Sequence, residues 1–176
     1  MRPAEEEDYV AYVGARLARL RRIAHYLCKD PHRADDVVQM TLTRLYVHWR
    51  RARQADDLDR YVERMLVRCF LNDQQLGWWT RVRLTGAPRD TPVLAPPPPA
   101  DGSDVETRTV VHAALERVPP KQRAVLVLRF LCDLPVAEVA EIMQCSAGTV
   151  KSQTSRGLKT LRELLGEQML VTLRKE

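Results

Sequence analysis

Four consecutive prolines, Pro96 to Pro99, stand just past the middle of the chain, inside the stretch TGAPRDTPVLAPPPPADGSD from Thr85 to Asp104. A proline ring removes a backbone N–H and clashes with the preceding turn, so no helix crosses this stretch. Extended polyproline II is its favoured state, which makes it a semi-rigid tether. The alternative, an ordered surface loop, is disfavoured by its length. The sequence is therefore expected to form modules over residues 1–83 and 108–176, with a Pro-rich linker over 84–107. Each module is near the lower size limit for a core that folds by itself.

Both flanks carry helical periodicity, and neither carries a strand signal of comparable quality. Val10, Val13, Leu17, Leu20, Ala24 and Leu27 recur at three- and four-residue spacing and predict a first helix. Asp30-Pro31 ends it and opens a second, carried by Val38, Leu42, Leu45 and Trp49. The polar stretch Arg51 to Asp57 reads as a loop. A third helix runs from about Leu58 to the Trp78-Trp79 pair, with Val62, Met65, Leu66, Cys69 and Phe70 inward. Beyond the prolines, Val110, Ala114, Leu115 and Val118 predict a short helix ended by Pro119-Pro120. Another runs from Lys121 to about Leu131, with Val125, Leu128 and Phe130 apolar. The expected fold is all-α, two small helical bundles.

The segment from Pro135 to Ser152 reads as a helix, a tight turn and a second helix. Val136, Val139, Ala140 and Met143 share one face, Ser146 is placed to cap the second helix, and Val150 returns to the core. That second helix presents Thr149, Lys151, Ser152, Gln153, Thr154, Arg156 and Lys159, with no acid before Glu163. Hydroxyls and amides suit base edges and phosphates, and cations suit the backbone, as in a recognition helix lying in a major groove. The net charge of +5 fits a polyanionic partner without requiring one.

Other classes find little support. The four cysteines, Cys28, Cys69, Cys132 and Cys145, are widely spaced within apolar patterns and read as reduced, buried thiols, which favours a cytoplasmic compartment. The start, Met-Arg-Pro-Ala followed by Glu5, Glu6, Glu7 and Asp8, does not read as a signal peptide, and no run has the length of a membrane span. His32 and Asp36 are one turn apart but have no third ligand in sight. No nucleophile, base and orienting group form a set. The expectation is no enzyme, no metal and no cofactor.

The segments, in their order, resemble a bacterial RNA polymerase sigma factor of the extracytoplasmic-function group, most closely its actinobacterial SigE-like subgroup. Ala34-Asp35-Asp36-Val37-Val38-Gln39 stands where that family carries its acidic segment in the core-binding part of the sigma-2 domain. The run from Tyr61 to Arg68 resembles the start of the helix that reads the −10 element. Leu115 to Arg129 resembles the opening of sigma-4, and Gly148 to Arg156 its recognition helix. Two positions depart from the pattern. Gln144 stands at a turn position usually held by Gly, and Arg68 where relatives often carry Asn.

The resemblance implies a set of contacts. Asp35, Asp36, Gln39 and Leu42 would face core polymerase, its β and β′ subunits. Arg51, Arg53 and Gln54, in the loop before the third helix, would meet the −10 element with Arg60, Arg64, Arg68 and Asn72. Ser146, Thr149, Lys151, Ser152, Thr154, Ser155, Arg156 and Lys159 would meet the −35 element. Promoter DNA is the implied ligand, an anti-sigma factor an optional further partner, and no membrane insertion is implied. Each assignment has a plainer counterpart. Asp35 and Asp36 could be first-turn acids complementing the helix dipole. Arg60, Arg64 and Arg68 could be a solvated basic stripe. Trp78 and Trp79 could close the small core or stack on an unpaired base, and the former takes precedence. The tail from Leu161 to Leu173 could pack back or face a partner. A rival for the whole chain is a stand-alone helix-turn-helix regulator that binds an operator without polymerase. The tether is compatible with the first reading: a spacer of about 17 bp is roughly 58 Å, and about 24 extended residues reach roughly 74 Å.

Overall fold

A computed structural model describes residues 2–81 and 105–173. The described residues are helical with short connections, in two compact units, one carrying the elements up to residue 81 and the other those from residue 105. The all-α expectation holds. The Pro-rich stretch and the side chains of Trp78 and Trp79 lie outside the described residues.

The first unit contains α1 (Pro3–Leu27), α2 (Pro31–Val47), the single turn α3 (Trp49–Ala52) and α4 (Leu58–Arg81). Helix α1 starts a full two turns before the apolar repeat does. Pro3 sits at its first position, and the Arg2 N–H donates to Glu5 Oε2 at 3.0 Å, while Glu5 and Glu6 place negative charge at the positive end of the dipole. Asp30 caps α2 by accepting from the His32 N–H at 2.9 Å, with Pro31 at the first helical position. Helices α1, α2 and α4 pack mutually around Leu20, Ile23, Leu27, Val37, Leu45, Val62, Leu66 and Phe70, all buried. Trp49 is buried, as its spacing predicts, but belongs to α3: helix α2 stops at Val47 and the chain turns at His48. Val10 does not join the core and is 62 % exposed, because at that level α1 turns Tyr9 and Tyr12 toward Trp49 instead.

The second unit contains α5 (Val105–Arg117), α6 (Pro120–Leu126), a π-helical turn (Val127–Leu131), α7 (Val136–Met143) and α8 (Ala147–Leu173). Helices α5, α6 and α7 each pack on α8. Its core takes Ala114, Val118, Ala124, Val125, Leu128, Leu134, Val139, Ile142, Val150 and Leu164, with Arg123 buried among the charged residues. Gly157 lets α8 approach α6 closely, since a Cβ there would lie 3.1 Å from Leu126 Cδ1. The helix expected from Lys121 to Leu131 is continuous but widens at its end. The Cys132 N–H reaches the Val127 carbonyl at 3.0 Å, an i+5 bond, and Asp133 follows in the left-handed region at φ 50°. Phe130, apolar in the pattern, is 60 % exposed: two residues on from buried Leu128, it lies on the far side of the helix.

Candidate nucleic-acid interface

In the second unit, α7 and α8 follow one another across a tight turn. The turn is made by Gln144, whose φ of 52° and ψ of 48° are left-handed, the conformation for which glycine is the easy choice. Ser146 then caps α8: its Oγ accepts from the Thr149 N–H at 3.1 Å and lies 2.9 Å from Thr149 Oγ1. On α7 the deepest side chains are Val139 and Ile142, while Val136, Ala140 and Met143 are half-buried at the margin.

Val150, Gly157 and Leu164 mark the inward face of α8, one residue every two turns. The opposite face is set by that phase. Thr149, Lys151, Ser152, Ser155, Arg156 and Lys159 are all exposed and run along about three turns of helix. Thr154 falls nearer the core, half-buried, and its hydroxyl donates to the Val150 carbonyl at 2.8 Å. The Ser152 hydroxyl similarly donates to the Thr149 carbonyl at 2.9 Å. These two hydroxyls spend their proton on the helix and keep acceptor lone pairs only. Lys159 has Glu163 one turn away at 4.0 Å.

In the first unit, Asp36 and Gln39 are exposed on α2, Leu42 is half-buried, and the Leu42 carbonyl accepts from the Tyr9 hydroxyl at 3.0 Å. Asp35 lies 3.7 Å from Arg21 Nε on α1, so part of its charge is met within the bundle. Neither acid is in the first turn of α2, where the dipole acts; Asp30 occupies that end instead. The loop before α4 is shorter than expected, because Arg51 and Ala52 belong to α3. Arg51, Arg53 and Gln54 are exposed there. On α4, Arg60, Arg68 and Asn72 are exposed and Arg64 is half-buried. Arg60 Nε is 3.4 Å from Asp57, which also caps α4 through the Arg60 N–H at 2.9 Å.

Sequence reasoning missed a row of polar contacts along one face of α1. Glu5 accepts from Arg50 Nε on both carboxylate oxygens at 3.1 Å, and Asp8 is 3.7 Å from Arg53. Further along the same face, the Tyr12 hydroxyl donates to Asp59 Oδ1 at 3.0 Å, Arg16 Nε to the same oxygen at 2.9 Å, and Arg19 Nε to the buried Glu63 at 2.6 Å. Tyr9 and Tyr12 meet the Trp49 ring between these pairs, with centroids 5.4 and 5.6 Å apart. The accepted Arg2 N–H bond, and then Arg50, hold the Glu5 carboxyl below its ordinary range. Burial, and next the Asp59 carboxylate, push the Tyr12 phenol above its own. The signal for this row was present as the spacing Glu5, Asp8, Tyr9, Tyr12, Arg16, Arg19, one helical face, but its partners lie more than thirty residues away.

Among the described residues no three or more His, Cys, Asp or Glu gather as a metal site, and no helix is long and apolar enough to cross a membrane.

Known proteins share this arrangement. The Sigma-70 region 2 family matches residues 13–80 and the Sigma-70, region 4 family residues 108–161. The RNA polymerase sigma-E factor of Streptomyces coelicolor is 33 % identical over 159 residues, covering 90 % of this chain and 86 % of the relative. The ECF RNA polymerase sigma factor SigM of Mycobacterium tuberculosis is 28 % identical, covering 84 % of this chain and 72 % of the relative. Among solved structures, the sigma factor RpoE of Bartonella quintana, crystallised with the anti-sigma factor NepR, superposes with a TM-score of 0.70 at 22 % identity, over 91 % of this chain and 98 % of that one. Two matched sigma-70 regions in the order of the two helical units, and relatives similar over most of their length, lead to one conclusion: the chain belongs to the extracytoplasmic-function group of RNA polymerase sigma factors, non-catalytic proteins that direct the polymerase to promoters.

Proposed function

We propose that this chain is a SigE-like promoter-specificity subunit that engages two separate promoter elements and helps open the duplex between them. Its first module, 1–83, docks on the β and β′ subunits of core polymerase through Asp35, Asp36, Gln39 and Leu42. The loop with Arg51, Arg53 and Gln54, and the α4 row of Arg60, Arg64, Arg68 and Asn72, receive the −10 element and an unpaired base. Its second module, 108–176, lays the start of α8 in the −35 major groove, with the stretch 84–107 as the leash. An anti-sigma protein, a partner that the Bartonella quintana neighbour has in its crystal structure, would cover these same surfaces.

The observation that carries this reading is the exposed face of α8. Lys151, Arg156 and Lys159 supply cations, Thr149 and Ser155 supply hydroxyls, and the face begins at a Ser146-capped end whose dipole also favours phosphate. Run-off transcription with core polymerase, with and without this chain, tests it on promoters altered separately at −10 and −35. Selective transcripts should need the chain and both elements. Arg156→Ala should weaken −35 use by about 1–3 kcal/mol if its guanidinium meets a base. Transcripts indifferent to the chain would refute the reading, and −35 use unchanged in Arg156→Ala would remove that contact from it.

A further inference from the structure

Two arginines flanking Arg51 at the entry to the −10 loop, Arg50 in α3 and Arg53 just after it, do not stand bare. The acidic start of α1 lies on them. Glu5 takes the Arg50 Nε–H on both oxygens at 3.1 Å, and Asp8 stands 3.7 Å from Arg53. Glu5 is well placed for this. Its side chain is only 15 % exposed, its second role is to accept the Arg2 N–H, and so its carboxylate is held in position before any ligand arrives. The scaffold beneath is rigid, since Tyr9 and Tyr12 of α1 pack on Trp49 at the root of the same loop. Arg50 itself is 66 % exposed, so a second anion can reach it. Glu6 and Glu7, the intervening acids, are exposed, and neither contacts an arginine among the described residues.

From this geometry we infer that Glu5 and Asp8 form an electrostatic latch: they occupy Arg50 and Arg53, on either side of Arg51, in the free protein and are displaced by nucleic-acid phosphate. A carboxylate seated on a guanidinium uses the N–H group a phosphate would take and cancels the charge that would attract it. The latch sets a threshold on DNA capture by the first unit and leaves the second unit untouched. Pairs with an arginine this exposed are weak and screened by salt, so they yield to a polyanion rather than block it. The inference rests on the proposed role of the loop in binding DNA.

The test uses the full chain, a labelled single-stranded DNA of mixed sequence, and binding followed by anisotropy at low and moderate salt. Glu5→Gln keeps the helix start, because glutamine also serves a capping box, and Asp8→Asn is isosteric. Helicity and melting of each variant check that the fold is retained. The pair E5Q/D8N should bind about two- to tenfold more tightly. E6Q/E7Q, which removes the same charge from the neighbouring acids, should gain clearly less. R50A/R53A should weaken binding, and adding E5Q/D8N to it should restore little. An equal gain from both acidic pairs, no gain, or a loss would overturn the latch while R50A/R53A still reports the loop as a DNA contact. No weakening from R50A/R53A would remove the loop's role, and the latch with it, without touching promoter-selective run-off, which reports on the polymerase reading separately.

Discussion

At Gly157 an added methyl would stand 3.1 and 3.2 Å from Leu126 Cδ1 and Cγ, and 3.4 Å from Gln122 Cβ. Leu126 is buried and has little room to yield. Overpacking of this kind costs about 1–3 kcal/mol, against about 1 kcal/mol gained when alanine replaces glycine in a helix. Gly157→Ala is therefore expected to destabilise the second unit by about 1 kcal/mol. Gly14, inside α1 with nothing within 4 Å of its would-be Cβ, keeps only the favourable term. Gly14→Ala should stabilise by about 0.5–1 kcal/mol. Urea melts of the two variants should shift in opposite directions; shifts of the same sign would show that the α6–α8 contact is looser than drawn. Gln144 carries a different local cost. Its left-handed backbone disfavours a Cβ by about 1–2 kcal/mol, and the freer unfolded chain of a glycine returns part of that. Gln144 is exposed, so its side chain gives up little packing. Gln144→Gly is expected to raise stability by about 0.5–1 kcal/mol, read as a higher urea midpoint with unchanged slope.

Between elements, one of the ties from α1 to α4 is a buried carboxylate. Glu63 is 3 % exposed and meets Arg19 Nε at 2.6 Å. Removing the arginine strands that carboxylate, and a buried group deprived of its partner costs on the order of 2 kcal/mol. Arg19→Ala should lower the melting point, and Arg19→Ala with Glu63→Leu should recover most of it. If the double variant is no better than the single, the pair is not what holds α1 to α4. This row also marks the limit of what the chain's pattern discloses. The apolar repeats of α2, α4 and α7 were readable because three- and four-residue spacing reports which face meets a core. Ser146 was readable as a cap because a hydroxyl just ahead of a helix has one obvious donor to accept from. Arg16 with Asp59, or Glu5 with Arg50, was not, because the polar spacing along α1 does not say which residues more than forty positions away it meets. The π-helical turn at Val127–Leu131 was equally silent, because five-residue hydrogen bonding has no composition of its own. Asp35 and Asp36 were legible as a polar patch, but their place in the second turn of α2 shows that a dipole does not account for them.

For the molecule as a whole, the proline run correctly anticipates two compact helical units, and the matched sigma-70 regions fall one in each. Under the proposed function, two small units with a few exposed cations each would bind DNA weakly if taken singly. Joined and mounted on a large enzyme, the second contact becomes intramolecular, and selectivity then exceeds what either face supplies. The proposed function therefore requires that promoter choice emerge only in the assembly. The direct measurement is equilibrium binding of a promoter fragment and of a scrambled fragment of equal length, at one fixed salt concentration, by the chain alone, by core polymerase alone and by the two together. The mixture should prefer the promoter strongly, while the chain alone shows feeble, salt-sensitive and nearly unselective binding. Strong promoter selection by the isolated chain, unaltered when core polymerase is added, would contradict the account.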